Sequence, residues 1–358
     1  MHIFEAGHEQ VVLREDPSTG LRAIIAIHST RLGPAAGGCR HWTYPDAAAA
    51  LSDALRLSRG MTFKNALADI PFGGGKSVIL GTPGRGLTEG QLETFGGWVD
   101  ELQGRYVTAE DVGMGVNALR TVARSTRYVS GLGRGGVGGD PSPFTARGVL
   151  RGIEAAVRFR LGRDDLDGLR VAVQGLGSVG MHLCELLHGR GARLWVADVA
   201  AERVAAAVQA FAAQPVDPGA VVSADVDVLA PCALGGVLSL DALAGLRAPV
   251  VAGAANNQLA SDDVGDLLAG RGVLYAPDYV INAGGVISVA QEFLGIDDRQ
   301  WTEQRIDGIG DRLTAIFQRA SRTGEPTSRI ADELAAERLH RGGAAAVTRH
   351  VVRAANGR

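Results

Sequence analysis

Hydrophobic residues follow two different spacings in two stretches of the chain. In the first stretch, apolar positions at helical spacing predict a helix that begins after Asp46, its N-cap, and ends at Gly60. A run rich in β-branched residues predicts a strand, and a Thr-x-x-Gln capping box predicts the start of a second helix. The β-branched strand covers 21–28 and the helix with the capping box covers 88–102, and another short strand is predicted over 77–80.

In the second stretch, short apolar runs alternate with amphipathic segments. Strands are predicted over 169–174, 193–198, 226–230, 249–252 and 273–275, and helices over 178–189, 201–213, 304–321 and 328–341. Strands that alternate with helices in this way indicate a parallel, doubly wound sheet.

Residues 130–143 separate the two stretches and are rich in Gly and Pro, which disfavour helix and strand interiors. We interpret them as an interdomain hinge or cleft loop, followed by a helix over 145–161. The expected fold is therefore α/β with two domains. An N-terminal α/β domain is formed by 1–133 and 327–358, and a Rossmann-type, doubly wound dinucleotide-binding domain covers 134–326.

The composition argues against several classes of protein. The 358-residue chain has a net charge of −3, so no basic field attracts nucleic acid or an anionic membrane. It has no apolar run of about 18 residues and no basic-then-apolar start, so we expect neither a transmembrane helix nor a secretory signal. Its three cysteines, Cys39, Cys184 and Cys232, form no CxxC pair, which predicts no metal site and reduced thiols in the cytoplasm.

A glycine-rich turn indicates a dinucleotide site. Gly175, Gly177 and Gly180, with Ser178 and Val179 between the last two, match GxGxxG after a predicted strand and before a predicted helix. The first glycine permits the tight turn, the second lets a pyrophosphate approach the backbone, and the third lets the helix pack on the sheet. The alternative is a glycine turn that binds no ligand, but this alternative does not explain why the motif follows a predicted strand and precedes a predicted helix.

Asp198 ends the next predicted strand, 18 residues after Gly180. A carboxylate at about this spacing accepts hydrogen bonds from ribose hydroxyls and repels a 2′-phosphate. The sequence therefore favours NAD over NADP, although Arg203 lies near enough in sequence to offer a phosphate partner.

Two lysines are candidates for proton chemistry. Lys64 and Lys76 are the only lysines among 36 basic Lys and Arg residues, and an amine can release a proton where a guanidinium cannot. One ammonium can hold a substrate carboxylate, while the other, desolvated and beside a cation, can exchange protons near neutral pH. Asp111, placed where a short strand meets a loop, can carry protons to and from an amine.

Two other classes of protein share some of these features. Lone lysines also suit Schiff-base or pyridoxal chemistry, which the complete dinucleotide pattern disfavours. A regulator that binds NAD without turnover is possible as well, but it leaves the two lysines and Asp111 without a role.

Seven segments occur in the order typical of one family. They are 32–38, 60–65, 73–77, 108–113, the GxGxxG segment, 253–257 and 276–286. Together they resemble the glutamate/leucine/phenylalanine/valine dehydrogenase family over nearly the whole chain, and its leucine dehydrogenases most of all.

The resemblance implies a role for each matching residue. Lys64 would bind the substrate carboxylate, Lys76 would be the general acid/base that activates water, and Asp111 would carry the amine proton. Asn256 would contact substrate and nicotinamide, and Thr145 the nicotinamide carboxamide. The residues implied to line the side-chain pocket are Gly37, Gly38, Met61, Val286 and Val289.

The function implied by the resemblance is a reversible, NAD-dependent oxidative deamination. An apolar L-amino acid (leucine, valine or isoleucine) would give the 2-oxo acid, ammonia and NADH. The first domain would bind substrate and form contacts in a homo-oligomer. Ala36 stands where leucine dehydrogenases have a larger leucine, and the resulting space keeps phenylalanine open as an alternative substrate.

Overall fold

The computed structural model describes residues 7–82, 84–133, 140–233 and 235–342. The chain divides into two compact units, and the α/β fold class is confirmed. The first unit comprises Met1–Gly139, Val289–Asp297 and Ala335–Arg358, and the second comprises Asp140–Ser288 and Asp298–Leu334.

Among the described residues, the division differs from the predicted boundaries in two segments. Residues 289–297 belong to the first unit, where the Glu292 carboxylate accepts hydrogen bonds from the backbone N–H groups of Leu132 and Gly133. Residues 327–334 belong to the second, because Asp332 accepts a hydrogen bond from the Tyr279 hydroxyl. Both links join residues distant in sequence, which a pattern of local composition does not reveal.

A five-stranded mixed sheet forms the first unit's centre, in the order β1-β2-β4-β3-β5. Its strands are β1 (Gln10–Asp16), β2 (Leu21–Ser29), β3 (Ala35–Trp42), β4 (Gly73–Leu80) and β5 (Tyr106–Ala109). The unit's helices are α1 (Ala47–Leu67), α2 (Glu89–Asp100) and α3 (Val116–Val122). Strand β3 runs parallel to both β4 and β5, so the carboxyl ends of these three strands lie at one edge.

Helices cover both faces of this sheet. Alternate residues of β2 point to opposite faces. Ile25 and Ile27 pack with Phe95 of α2, whereas Ile24 and Leu55 of α1 belong to a separate cluster on the other face. The predicted N-cap Asp46 and the capping box that begins α2 are both confirmed.

Two predicted element boundaries in the first unit are wrong. Helix α1 does not end at Gly60 but continues to Leu67, because Phe63 and Leu67 extend its buried face. Strand β4 begins at Gly73 rather than Ser77, so the glycine run lies within the sheet. A Cβ at Gly73 would lie 1.9 Å from the carbonyl oxygen of Ser29, so only glycine permits this backbone approach.

The second unit contains a six-stranded parallel sheet in the order β11-β10-β9-β6-β7-β8. Its strands are β6 (Arg170–Gln174), β7 (Arg193–Ala197), β8 (Gln214–Pro215), β9 (Val228–Pro231), β10 (Val250–Val251) and β11 (Leu274–Tyr275). Its chain order reverses between β6 and β9, and ligands of doubly wound sheets bind at such a reversal. The Rossmann-type arrangement is therefore confirmed.

Helices surround this sheet. They are α4 (Ser142–Leu161), α5 (Ser178–His188), α6 (Ala201–Phe211), α7 (Leu240–Gly245), α8 (Asp262–Gly270), α9 (Asp278–Ile281), α10 (Gly284–Leu294), α11 (Arg299–Thr323) and α12 (Thr327–Arg341), of which α10 and α12 end in the first unit. None of the helices in the described ranges is long and apolar enough to span a membrane.

The predicted loop over 130–143 is only partly described, since 134–139 lie outside the described residues. Its last two residues are helical, because α4 begins at Ser142 and not at Thr145. Pro143 sits in the first turn, where its missing N–H costs no hydrogen bond.

Candidate active site

A buried ion pair joins the middle of strand β4 to the loop that follows β5. Lys76, on the central strand β4, is 6% exposed, and its ammonium contacts Oδ2 of Asp111, two residues beyond β5. The surrounding sheet fixes both backbones, because β4 pairs with β2 and β3, and β5 pairs with β3. The structure therefore brings together two of the three predicted catalytic residues.

The second oxygen of Asp111 faces a different cation. Oδ1 accepts a hydrogen bond from the Val112 N–H at 2.7 Å and lies 3.6 Å from Nη2 of Arg40. Burial by itself raises the pKa of Asp111, but the charges of Lys76 and Arg40 outweigh it and hold this pKa below its ordinary value. Asp111 is therefore an ionised carboxylate between two cations.

This arrangement corrects one expectation about the lysines. The direct partner of the desolvated Lys76 is a carboxylate, and the cation near it is Arg40, on the far side of Asp111. Arg40 is a site residue that sequence reasoning missed. Among so many arginines nothing marks it, and only the pairing of β3 with β5 places it beside Asp111.

The paired glycines of β3 give the site its close backbone packing. A Cβ at Gly37 would lie 1.8 Å from the Gly75 carbonyl oxygen and 3.1 Å from Cγ of Met61. One at Gly38 would lie 2.9 Å from Cβ of Asp111. Three predicted site residues therefore lie close to the ion pair. Gly38 packs against Asp111, and Gly37 packs against strand β4 and Met61.

Lys64 lies one helical turn after Met61 and is half-buried in the last turn of α1. The neighbouring Asn65 is fully buried, and its amide donates to the Gly73 carbonyl oxygen at 2.5 Å. It also reaches the carbonyl oxygen of half-buried Ala36 at 3.4 Å. Asn65 therefore ties the lysine-bearing end of α1 to β3 and β4.

The glycine turn of the second unit fits a dinucleotide. Gly175 has φ +96°, a conformation that favours glycine, and a Cβ at Gly180 would lie 2.0 Å from the Gly175 carbonyl oxygen. A Cβ at Gly177 would meet no atom within 4 Å. Gly177 is also the N-cap of α5 and supplies no side-chain cap, so N–H groups of the first turn are available to a phosphate.

Asp198 braces this turn from the end of β7. Its Oδ2 accepts from the Leu176 N–H at 2.6 Å, and its Oδ1 accepts from the Ala200 N–H at 2.8 Å. Although burial opposes ionisation, these hydrogen bonds and Arg203, whose Nη1 is 3.9 Å from Oδ2, hold the Asp198 pKa below its ordinary value. Sequence reasoning did not foresee that the predicted ribose ligand also supports the turn.

The remaining predicted residues occupy several elements. Ser178 starts α5, and its hydroxyl donates to Asp140 Oδ2 at 3.1 Å. Thr145 lies in the first turn of α4, where its hydroxyl donates to the Pro141 carbonyl oxygen, and Asn256 accepts a hydrogen bond from buried Asn282 at 2.9 Å.

Three predicted valines lie on helices α5 and α10. Val179 follows Ser178 in α5, while Val286 and Val289 are both half-buried and one turn apart on α10. Val286 belongs to the second unit and Val289 to the first. In the described part of the chain, no group of three or more His, Cys, Asp or Glu side chains could hold a metal ion.

Comparisons with known proteins account for both units. Residues 8–128 match the description "Glu/Leu/Phe/Val dehydrogenase, dimerisation domain", and 195–356 match "Glutamate/Leucine/Phenylalanine/Valine dehydrogenase". A leucine dehydrogenase of Thermoactinomyces intermedius is 46% identical over 93% of this chain and 91% of its own length. The chain belongs to the Glu/Leu/Phe/Val dehydrogenase family.

Relatives within the family carry different substrate names at similar identity. A valine dehydrogenase of Streptomyces virginiae is 46% identical over 94% of this chain and 95% of its own. The crystal structure of L-tryptophan dehydrogenase from Nostoc punctiforme superposes with a TM-score of 0.85, at 44% identity, covering 95% of this chain and 98% of that one. Overall identity therefore establishes the family but does not select the amino-acid side chain.

Proposed function

We propose that the protein catalyses the reversible, NAD-dependent oxidative deamination of an apolar L-amino acid, with leucine, valine and isoleucine as preferred substrates. The observation that carries the proposal is the buried Lys76–Asp111 ion pair in a chain of this family. A desolvated amine beside an ionised carboxylate can exchange protons without bulk water, which the deamination of an amino acid requires.

The roles of the ion pair follow from its chemistry. After the Cα hydride leaves, the substrate is an iminium. Lys76 first passes its ammonium proton to Asp111 and then, as a neutral amine, takes a proton from the water that attacks the iminium carbon. Asp111 carries the proton that the departing nitrogen needs, and the products are the 2-oxo acid and ammonia. Lys64 supplies a fixed positive charge for the substrate carboxylate, which keeps the Cα in position.

NAD is the cofactor in this proposal, and it supplies the hydride acceptor when bound. Gly175, Gly177 and Gly180, with Ser178 and Val179, would hold its pyrophosphate at the start of α5. Asp198 would accept hydrogen bonds from the adenosine ribose, since an ionised carboxylate has more acceptor sites than the two backbone N–H groups use. Thr145 and Asn256 would bind at the nicotinamide end.

The proposed substrate class rests on the residues that the resemblance implies for the side-chain pocket. Met61, Val286 and Val289 are apolar, so the distal carboxylate of glutamate would be desolvated without a partner. Ala36 leaves space for side chains larger than valine. We further propose a homo-oligomer that assembles through the first unit and works in the cytoplasm, a location supported by three free thiols.

An assay of NADH formation against a panel of L-amino acids tests the proposal. We expect turnover of leucine, valine and isoleucine, weaker turnover of phenylalanine, and none of glutamate. Turnover of phenylalanine above leucine would identify a phenylalanine dehydrogenase, and no turnover of any amino acid would leave an NAD-binding regulator.

Two substitutions of Lys76 separate proton transfer from charge. Lys76→Ala removes both, whereas Lys76→Arg retains the positive charge but holds its proton throughout the neutral range. We expect kcat to fall about 10²–10⁴-fold in both variants, with the Kd for NAD unchanged. Arg124→Ala, which removes an exposed ion pair with Glu89 in the same unit, is the control with wild-type kcat. Wild-type kcat in Lys76→Arg would contradict the role of Lys76.

A further inference from the structure

Behind Asp111, charged side chains of alternating sign form a line that ends on helix α1. Nη1 of Arg40 donates to Oδ2 of Asp53 at 2.9 Å, and the Tyr44 hydroxyl donates to the same oxygen at 2.7 Å. Nη2 of Arg56 donates to the other oxygen of Asp53 at 2.8 Å. Arg40 is thus placed between two carboxylates, one of which belongs to the proposed active site.

The two carboxylates hold Arg40 differently. The 2.9 Å contact with Asp53 is a charge-assisted hydrogen bond, whereas the 3.6 Å contact with Asp111 is too long for one. Asp53 therefore fixes the guanidinium, and Arg40 acts on Asp111 through its charge. The side chains of Arg40, Asp53 and Asp111 are 22%, 16% and 13% exposed, so solvent screens this charge less than it would at the surface.

We propose that Arg40 is a positioning residue for the reaction: anchored by Asp53, its guanidinium keeps Asp111 an ionised proton acceptor beside Lys76. The proposal rests on the proposed function. In the proposed reaction, Lys76 and Asp111 exchange protons with the substrate, while Arg40 keeps the Asp111 carboxylate ionised.

Other titratable groups near Asp111 do not take over this role. Burial raises the pKa of the Cys39 thiol to about 12 and raises that of the Tyr106 phenol as well, so both are neutral under ordinary conditions. Glu110, the preceding residue, is exposed and carries the same sign of charge as Asp111. The cations paired with Asp111 are Lys76 on β4 and Arg40 on β3.

Removing the Arg40 charge has a predictable sign. A carboxylate that loses a nearby cation gains a proton at higher pH, so the low-pH limb of kcat/KM should move upward. An arginine beside an aspartate lowers its pKa by about 1–3 units. Because Asp111 retains Lys76 and Arg40 makes no hydrogen bond to it, we expect a shift of about one unit.

The experiment compares Arg40→Gln with Arg40→Lys. Glutamine removes the charge and keeps an amide donor, and lysine restores a charge without the two-nitrogen fork. The first readout is the pH profile of kcat/KM. The second is the ¹³C carboxyl titration of Asp111 in aspartate-labelled protein, with the resonance identified by its loss in Asp111→Asn. Arg14→Gln, which breaks the surface pair with Glu101, is the matched control.

We expect both readouts to move upward by about one unit in Arg40→Gln, to return at least halfway in Arg40→Lys, and to stay at wild type in Arg14→Gln. An Asp111 titration in Arg40→Gln that matches wild type would overturn the proposal, as would equal shifts in the glutamine and lysine variants. The carboxyl titration needs no turnover, so a failure of Arg40 is distinguished from a wild type that oxidises no amino acid. The latter result overturns the proposed function and the role of Arg40 with it.

Discussion

Replacing Gly177 with alanine tests the cofactor turn with little disturbance of the protein. A Cβ there meets no atom within 4 Å, and the φ of −67° is one that alanine adopts without strain. Alanine restricts the unfolded chain, which stabilises the fold by about 0.4–1 kcal/mol. It is also a poorer N-cap than glycine, and this loss is of similar size. We expect the free energy of unfolding to change by less than about 1 kcal/mol.

The added methyl group should matter when NAD binds. It projects into the open space beside the first turn of α5, where the pyrophosphate would approach the backbone. Displacing the pyrophosphate weakens hydrogen bonds to a charged group, each of which contributes about 1.5–3 kcal/mol. Since 1.4 kcal/mol corresponds to a factor of ten, the Kd for NAD should rise about tenfold or more.

Calorimetric titration with NAD and urea unfolding measure these two quantities separately. Gly97→Ala is the matched control, because a Cβ at Gly97 in α2 also meets no atom within 4 Å. It should leave the Kd for NAD unchanged. A wild-type Kd in Gly177→Ala, with wild-type stability, would refute the assignment of the pyrophosphate to this turn.

Three further substitutions test the remaining roles. Lys64→Ala should raise the amino-acid KM with a smaller loss of kcat, because a carboxylate contact is present in both ground and transition states; an unchanged KM would contradict its role. Asp198→Ala should raise the Kd for NAD and reduce the preference for NAD over NADP, which is measured as the ratio of kcat/KM for the two cofactors. Equal kcat/KM values for NAD and NADP in the wild type would contradict the proposed role of Asp198 in cofactor preference. Ala36→Leu should lower kcat/KM for phenylalanine more than for valine, because the longer side chain reaches deeper. Equal losses for the two substrates would place Ala36 outside the pocket.

Element types were predictable where local chemistry decides the structure. Asp46 and Thr88 begin their helices because their side chains accept hydrogen bonds from first-turn N–H groups, which depends on a few neighbouring residues. Five of the six strands of the Rossmann-type sheet were equally accessible, since each is a short apolar run. Strand β8 was missed, because it is only two residues long and exposed, and the short helices α7 and α8 were not predicted. The ends of the predicted strands still shifted by a residue or two, as is usual at boundaries.

Predictions failed where distant backbone decides the structure. Gly60 has the local character of a helix stop, but α1 continues because residues beyond it pack against the sheet. The glycines of β4 look like a loop in sequence, yet they are strand residues that neighbouring backbone approaches closely. Strand β3 was missed for the same reason, since Gly37 and Gly38 have low strand preference in isolation.

The residues of the candidate site show the same difference between what local sequence reveals and what distant backbone decides. Lys76 and Asp111 could be selected by residue type, because few kinds of side chain exchange protons and lysine is rare in this chain. Arg40 could not, since its importance comes from parallel pairing of β3 with β5. The bracing hydrogen bonds of Asp198 likewise depend on the end of β7 lying beside the turn after β6.

The placement of these residues on different kinds of element has an evolutionary consequence. Lys76 lies on the central strand of a sheet, where hydrogen-bonded neighbours on both sides tolerate few changes. The predicted specificity residues Met61, Val286 and Val289 project from helices α1 and α10, whose side chains can be exchanged without altering strand register. With the proposed roles, we therefore expect substrate preference to diverge through a few helical substitutions while the proton chemistry is retained. We expect a library restricted to these three positions to yield new amino-acid selectivities on this scaffold.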